Sequence, residues 1–460
     1  MPSLSRELAG WVAGLRYEDL PPEVIDRAKG VTLHGLGSAL LGANMPSGKQ
    51  ALALMQEEEG AGTAQATVMV HGDRMSKSSA AFVNSEMIYA GGKWDTFRML
   101  THPSCNILPP AFATGGVVQA TGKQYLTAIA AAYEVMERLA ANFIPTLMSR
   151  GFHAGPVFGI FGAAIAAAKI SDLNAEQVHG AIAQCVNLAA GNLEGARSGG
   201  RSLREGGSVR NGLLAVALAR QGMKGGETVL EGEAGFFHSY AGNNRGELPY
   251  VFEGPKQVDL NSIVEGLGSK WFFLETLYRI YSTPGYNIAH VDVTAALCRE
   301  HDLTYEDIES IEAIVHWMET LYPSPAFPSP GMDNQPRPGS THYFSAYGAV
   351  TRGYPLLKDR PDPSDPPEVL ELMHRVKIVP SQAQALFAPT VTIRTKDGRT
   401  LTKAATGREF MWDFEEEARR IAEIAPGVPI GESQFGQLVD ACRHLDGLPQ
   451  AQDLVQLTIP

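Results

Sequence analysis

Residues 147–191 read LMSRGFHAGPVFGIFGAAIAAAKISDLNAEQVHGAIAQCVNLAAG, and this stretch decides the fold. Residues 158–169 are apolar on nearly every side, with Ala and Gly at many positions. A helix that is apolar all round is a buried helix. Asn174, with Gln177 three residues later, has the pattern of a capping box. A second helix is therefore predicted to about Ala190, with Gly191 suited to its C-terminus. In front of this pair stands Gly151-Phe152-His153. A His at the mouth of a buried helix is a packed structural residue or a positioned acid/base.

Working outward, helical periodicity predicts helices over 5–15, 23–43, 47–58, 76–90, 109–121 and 123–143. Residues 67–71 (TVMVH) read as a short strand. The pattern changes after Gly225. Residues 288–298 read as a helix, Thr304 as the cap of a short helix, and 311–317 (IEAIVHW) as a strand. Residues 324–339 are dense in Pro and read as a loop. Residues 344–352 are helical, and 389–402 (PTVTIRTKDGRTLT) read as a β-hairpin turning at Asp397-Gly398. Helices return over 414–424 and 432–445. The expected fold is mainly α: a large all-helical domain formed by 1–265 together with 412–460, and a smaller α+β domain over 266–411.

Composition narrows the function. A chain of 460 residues with a formal net charge of −12 does not suit a phosphate-backbone partner, so no nucleic acid is expected. A small anionic substrate remains compatible, because local positive charge can sit inside an acidic protein. Cys105, Cys185, Cys298 and Cys442 are widely spaced, without a CxxC pair. That spacing points to a reducing, cytoplasmic setting rather than a disulfide framework. The N-terminus lacks the pattern of a signal peptide. No run reaches the roughly 18 apolar residues that a membrane span needs.

Four stretches concentrate residues able to do chemistry. The loop GGKWDTFRMLTHPS brings Lys93, Asp95, Thr96, Thr101 and His102, and the second stretch is His153 itself. The third, GARSGGRSLREGGSVRNG over 195–212, holds Arg197, Arg201, Ser202, Arg204 and Arg210 among glycines. Glycines allow close backbone approach, and Arg grips carboxylates bidentately. This run matches neither the P-loop nor the dinucleotide fingerprint. The fourth, YRIYSTPGYNIAHVDV over 278–293, carries Tyr281, Tyr286, His290 and Asp292. Together they describe a pocket with His and Tyr as proton carriers and Arg as anion clamps, a set suited to proton abstraction next to a carboxylate.

The chain resembles the MmgE/PrpD family, which includes 2-methylcitrate dehydratase, cis-aconitate decarboxylase and iminodisuccinate epimerase. The resemblance rests on THPS (101–104) with a following Pro, AAYEVMERL (131–139), GFH (151–153), the run 161–191, EGGSVRNGLLAVALARQG (205–222) and LEGEAGFF (230–237). FSAYGAV (344–350) and KDGR (396–399) are similar to its later landmarks. It implies an active site between a helical and an α+β domain, a homodimer, and neither metal nor organic cofactor. By position, it implies catalytic roles for His102, His153, Tyr281 and Thr96, with Asp95 beside them. It places Arg201 where the family has a Lys; Lys93, Arg204 and Ser202 are expected as further substrate-binding residues from the polar stretches themselves. Where the family has an HALDFDDT-like run this chain has YAGGKWDT, so that an active-site Asp becomes Gly92. The family's KPYPSC becomes RIYSTP over 279–284. The resemblance implies a lyase of the dehydratase or decarboxylase type on a small di- or tricarboxylate. An epimerase or isomerase of the iminodisuccinate type is the alternative, and a non-catalytic carboxylate-binding member is the third reading.

Overall fold

The computed structural model describes residues 2–59, 64–197, 203–281, 283–329, 335–354 and 365–460. At its centre lies the helix Ala154–Ile170, buried along its whole length except at Lys169. Helices Pro103–Val118, Gly122–Ala140, Ala175–Leu188 and Arg204–Arg220 pack around it. Small residues make this possible. A Cβ on Gly212 would stand 2.7 Å from the Cβ of Ala163, and one on Gly159 would overlap the side chain of Asn106. Asn174 caps the helix Ala175–Leu188 by accepting from Gln177 N, and Gln177 reciprocates, so the capping box forms as its spacing predicts.

The helices Leu4–Gly14, Pro22–Gly42, Pro46–Glu59 and Lys77–Ala90 complete the N-terminal half. The helix expected from residue 109 starts instead with Pro103–Val118. Pro103 occupies the first helical turn, where its missing N–H costs nothing. Pro109 and Pro110 lie inside the helix. Residues 67–71 are no extended strand either: Ala66–Thr67 pairs briefly with Arg74–Met75, and the chain turns at Val70, whose φ is +65°.

The smaller part carries a four-stranded sheet in the order Val376–Ser381, Ile308–His316, Thr390–Thr395, Thr400–Ala404. The first two strands are parallel and the other pairs antiparallel. Asp397-Gly398 turns the expected hairpin, with Gly398 at φ +90°. The strand Val376–Ser381 had not stood out in the sequence. Helices Asn287–Glu300 and Thr341–Thr351 pack against this sheet. The fold is thus mainly α with a small α+β part. A larger apolar core runs from Leu4 to Ala289 and takes in Phe414, Ile421, Leu438 and Leu454 of the C-terminal helices. A second core gathers residues from Val291 to Ile393 around the sheet.

Candidate functional site

The loop after the helix Lys77–Ala90 is tied down at both ends. Thr96 and Leu277 exchange two backbone hydrogen bonds of 2.8 and 3.0 Å. The Asp95 carboxylate accepts from Ser104 N at 3.1 Å, Ser104 Oγ at 2.6 Å and Tyr133 Oη at 2.6 Å. It thereby caps the helix Pro103–Val118 and is fully enclosed. Burial raises its proton affinity, against the pull of those three donors. Between these ties, Arg98 and Leu100 adopt φ of +53° and +62°. Non-glycine residues in this region are strained and cluster at functional sites.

His102 is the N-cap residue of that helix. Its Nδ1 donates to the Asp95 carbonyl at 3.1 Å, and Thr96 Oγ1 lies 3.4 Å from the same atom. With the hydrogen on Nδ1, the Nε2 lone pair is the ring's basic position. The ring packs against Trp94 with centroids 4.3 Å apart. Burial first, and then the Arg279 guanidinium, push the His102 pKa down to about 3, so the ring is neutral.

His153 caps the central helix in the opposite sense. Its Nδ1 accepts the Gly155 N–H at 3.1 Å, which puts the hydrogen on Nε2. That Nε2 is buried and meets no hydrogen-bond partner. Burial again, followed by the charge of Arg204 and the neighbouring His102, holds its proton affinity well below the usual range. The two rings therefore differ in tautomer: one offers a lone pair at Nε2, the other an N–H.

A cavity of about 260 Å³ opens on His102. Trp94, Thr96, Arg279, Tyr286 and Tyr322 form its polar and aromatic wall, and Met99, Leu100 and Phe387 its apolar one. The Arg279 guanidinium lies 4.3 Å over the Trp94 ring and donates to the Gly92 carbonyl at 3.2 Å. Tyr286 and Tyr322 pack ring on ring at 5.4 Å. Arg98, also in the wall, is paired with Glu275 at 2.6 Å. A cation beside a neutral imidazole in a partly apolar pocket can hold a carboxylate while a proton moves at the next carbon.

Of the residues singled out by sequence, Thr96, His102 and Tyr286 line this cavity, whereas His153 lies outside its wall, near enough to His102 for the two rings to influence each other's charge. Arg204 stands close by, its charge acting on both imidazoles. It is held by Glu205 at 3.0 Å and by the Tyr89 hydroxyl at 2.7 Å. Lys93 is buried in the loop. Asp95 is committed to Ser104 and Tyr133, outside the cavity wall. Tyr281 is also outside that wall: its hydroxyl accepts from Arg420 at 2.8 Å and its ring stacks on Tyr354 at 3.8 Å. Arg201 and Ser202 lie outside the described residues. His290 is buried against Glu319 at 3.1 Å, and Asp292 accepts from the Tyr354 hydroxyl at 2.5 Å.

Sequence reasoning missed Arg279, Trp94 and Tyr322. Arg279 had a signal, since it heads the RIYSTP run, and Trp94 stands in the quoted loop. Tyr322 follows a short helical turn after the strand Ile308–His316 and carried no signal. Among the described residues no three His, Cys, Asp or Glu side chains converge as metal ligands would, and no helix is long and apolar enough to cross a membrane.

Comparison with known proteins agrees with the resemblance. The chain is 26% identical to the cis-aconitate decarboxylase of Aspergillus terreus over 99% of this chain and 95% of that protein. It is 26% identical to the mouse cis-aconitate decarboxylase, covering 88% of this chain and 82% of that one. The cis-aconitate decarboxylase-like protein oryM of Aspergillus oryzae is also 26% identical, over 65% of this chain and 62% of its own length. Residues 6–248 match the MmgE/PrpD N-terminal domain, and with more than half of its length in that match the chain belongs to the MmgE/PrpD family.

Proposed function

We propose that the chain is a lyase that moves a proton next to a carboxylate of a small polycarboxylate, with decarboxylation of a cis-aconitate-like substrate as the leading case. The observation that carries this reading is the pair of neutral imidazoles of opposite tautomer, His102 beside Arg279 and both within reach of the Arg204 charge. In this account Arg279 seats one substrate carboxylate. That anion offsets the guanidinium charge which helps keep His102 neutral, so binding raises the proton affinity of His102 Nε2. His102 Nε2 then takes a proton from solvent and delivers it to carbon. His153 donates its Nε2–H to an oxygen that gains negative charge, as a neutral imidazole can in a desolvated site. In decarboxylation the bond to the departing carboxylate breaks, its electron pair moves into the adjacent unsaturated system, and carbon takes the proton.

The relatives' names support cis-aconitate as the first substrate to try. The test is incubation in heavy water with cis-aconitate and other small di- and tricarboxylates, followed by proton NMR and carbon dioxide release. Net loss of carbon dioxide or water, with one deuterium at carbon after decarboxylation, is the expected result. The second reading, an isomerase of the epimerase type, is favoured by Gly92 standing where the family has an Asp, because an epimerase needs two proton carriers and no acid for a leaving group. Exchange at the α-carbon without net elimination would decide for it. Absence of both exchange and turnover on every substrate would leave only carboxylate binding. We carry a homodimer as part of the same proposal; sedimentation at twice the chain mass is its expected outcome.

A further inference from the structure

Two buried carboxyl groups stand where the mechanism above gives them no role. Glu86, inside the helix Lys77–Ala90, and Glu205, in the first turn of the helix Arg204–Arg220, are 1% and 2% exposed. Glu86 Oε1 accepts the Gly206 N–H at 2.7 Å. Glu205 accepts from Arg204 Nε at 3.0 Å through one oxygen and from Asn106 Nδ2 at 3.2 Å through the other. Glu205 borders His153. A Cβ placed on Gly155 would stand 3.2 Å from Glu205 Oε1 and 3.2 Å from His153 Nδ1.

Arg204 is the cation in contact with this pair, through its bond to Glu205. One guanidinium balances one carboxylate. A second buried carboxylate without a cation costs several kcal/mol, so it keeps its proton instead. Burial first, with Glu205 adding to it, pushes the Glu86 pKa up to about 8. We propose that Glu86 and Glu205 are positioning residues: two buried carboxyl groups beside one guanidinium, of which Glu205 holds Arg204 near the two imidazoles and Glu86 keeps a proton, so that together they set the charge that His153 and His102 feel.

Loss of the Glu86 proton to solvent adds a negative charge near Arg204. That charge offsets the guanidinium and raises the proton affinity of His153. The groups facing Glu86 are Arg204 and Glu205 on the helix Arg204–Arg220 and Cys105 on the helix Pro103–Val118. The helix Pro46–Glu59 also packs here and carries Glu58, paired with Arg210, and Glu59, bonded to Ser76. The helix Pro22–Gly42 carries His34, committed to Glu417.

The catalytic consequence rests on the proposed function, but the charge coupling does not. The test is NMR of the full chain labelled with ¹⁵N-histidine, titrated from about pH 5.5 to 9.5, with the His153 signal assigned by its loss in His153→Gln. Both imidazoles stay neutral in this window, so movement of the His153 nitrogens reports a neighbour. An inflection near pH 8 is expected in the wild type, absent in Glu86→Gln and moved toward the ordinary carboxylate range in Glu205→Gln. A wild-type titration without that inflection, or one unchanged in both variants, overturns the proposal. The wild-type curve alone decides if a variant does not fold. The two readings also fail separately. An inflection without turnover on any carboxylate defeats the lyase reading alone, and turnover without the inflection defeats the carboxyl pair alone.

Discussion

At the scale of single residues, two buried histidines held neutral make a prediction about stability. In the unfolded chain each takes a proton near pH 6.5. In the folded chain His102 does so only at about 3, and His153 is also pushed down, by burial first in both cases. The unfolded state therefore binds more protons below pH 6.5, so stability rises with pH there and is lost as pH falls toward the folded values. The slope approaches about 1.4 kcal/mol per pH unit for each histidine. Urea unfolding from pH 7 to 5 should show this fall, and His102→Gln should remove about one histidine's share. A variant with the wild-type slope would mean that His102 is not held neutral. The residue level was also the least legible in sequence. Histidines 102 and 153 stand out as types, but their tautomers depend on the Asp95 carbonyl and the Gly155 N–H, which only the folded backbone brings to them.

Elements matter here because the site sits at helix starts. His102 and His153 head two helices that pack on each other, so core packing fixes the imidazoles. Asp95 is the tie. Its loss leaves Ser104 and Tyr133 without their buried partner, at about 1–3 kcal/mol for each unsatisfied group. Asp95→Ala should lower the thermal midpoint and disorder the loop that holds His102, measured by calorimetry and by hydrogen exchange at Thr96 and Phe97. The C-terminal helix Phe414–Ile421 packs on Pro22–Gly42 through a buried pair, His34 Nδ1 to Glu417 Oε1 at 2.7 Å. Removing one partner of such a pair typically costs about 3–5 kcal/mol, whereas replacing both with apolar residues costs little. Glu417→Leu should therefore destabilise strongly, and adding His34→Leu should restore much of the loss; equal losses in single and double variants would contradict the pairing. Element types were legible wherever periodicity was long. The start of Pro103–Val118 was not, because Asp95, eight residues upstream of Pro103, supplies the cap that propensity cannot reveal.

For the whole molecule, the mainly helical plan followed from one buried small-residue helix and the capping box after it. The cavity was harder to read. It joins the loop after Lys77–Ala90 to residues 279–286 and to Tyr322, segments separated by up to more than two hundred positions, and only packing of both parts of the chain brings them together. The central claim is that His102 and His153 act on one carboxylate substrate from this region. Its most direct test is the turnover of folded His102→Ala and His153→Ala on a small unsaturated polycarboxylate such as cis-aconitate, followed by carbon dioxide release and deuterium incorporation. The account predicts that each variant keeps the wild-type fold by circular dichroism and loses roughly 10²–10⁴-fold in rate. Near wild-type turnover by both variants would contradict it.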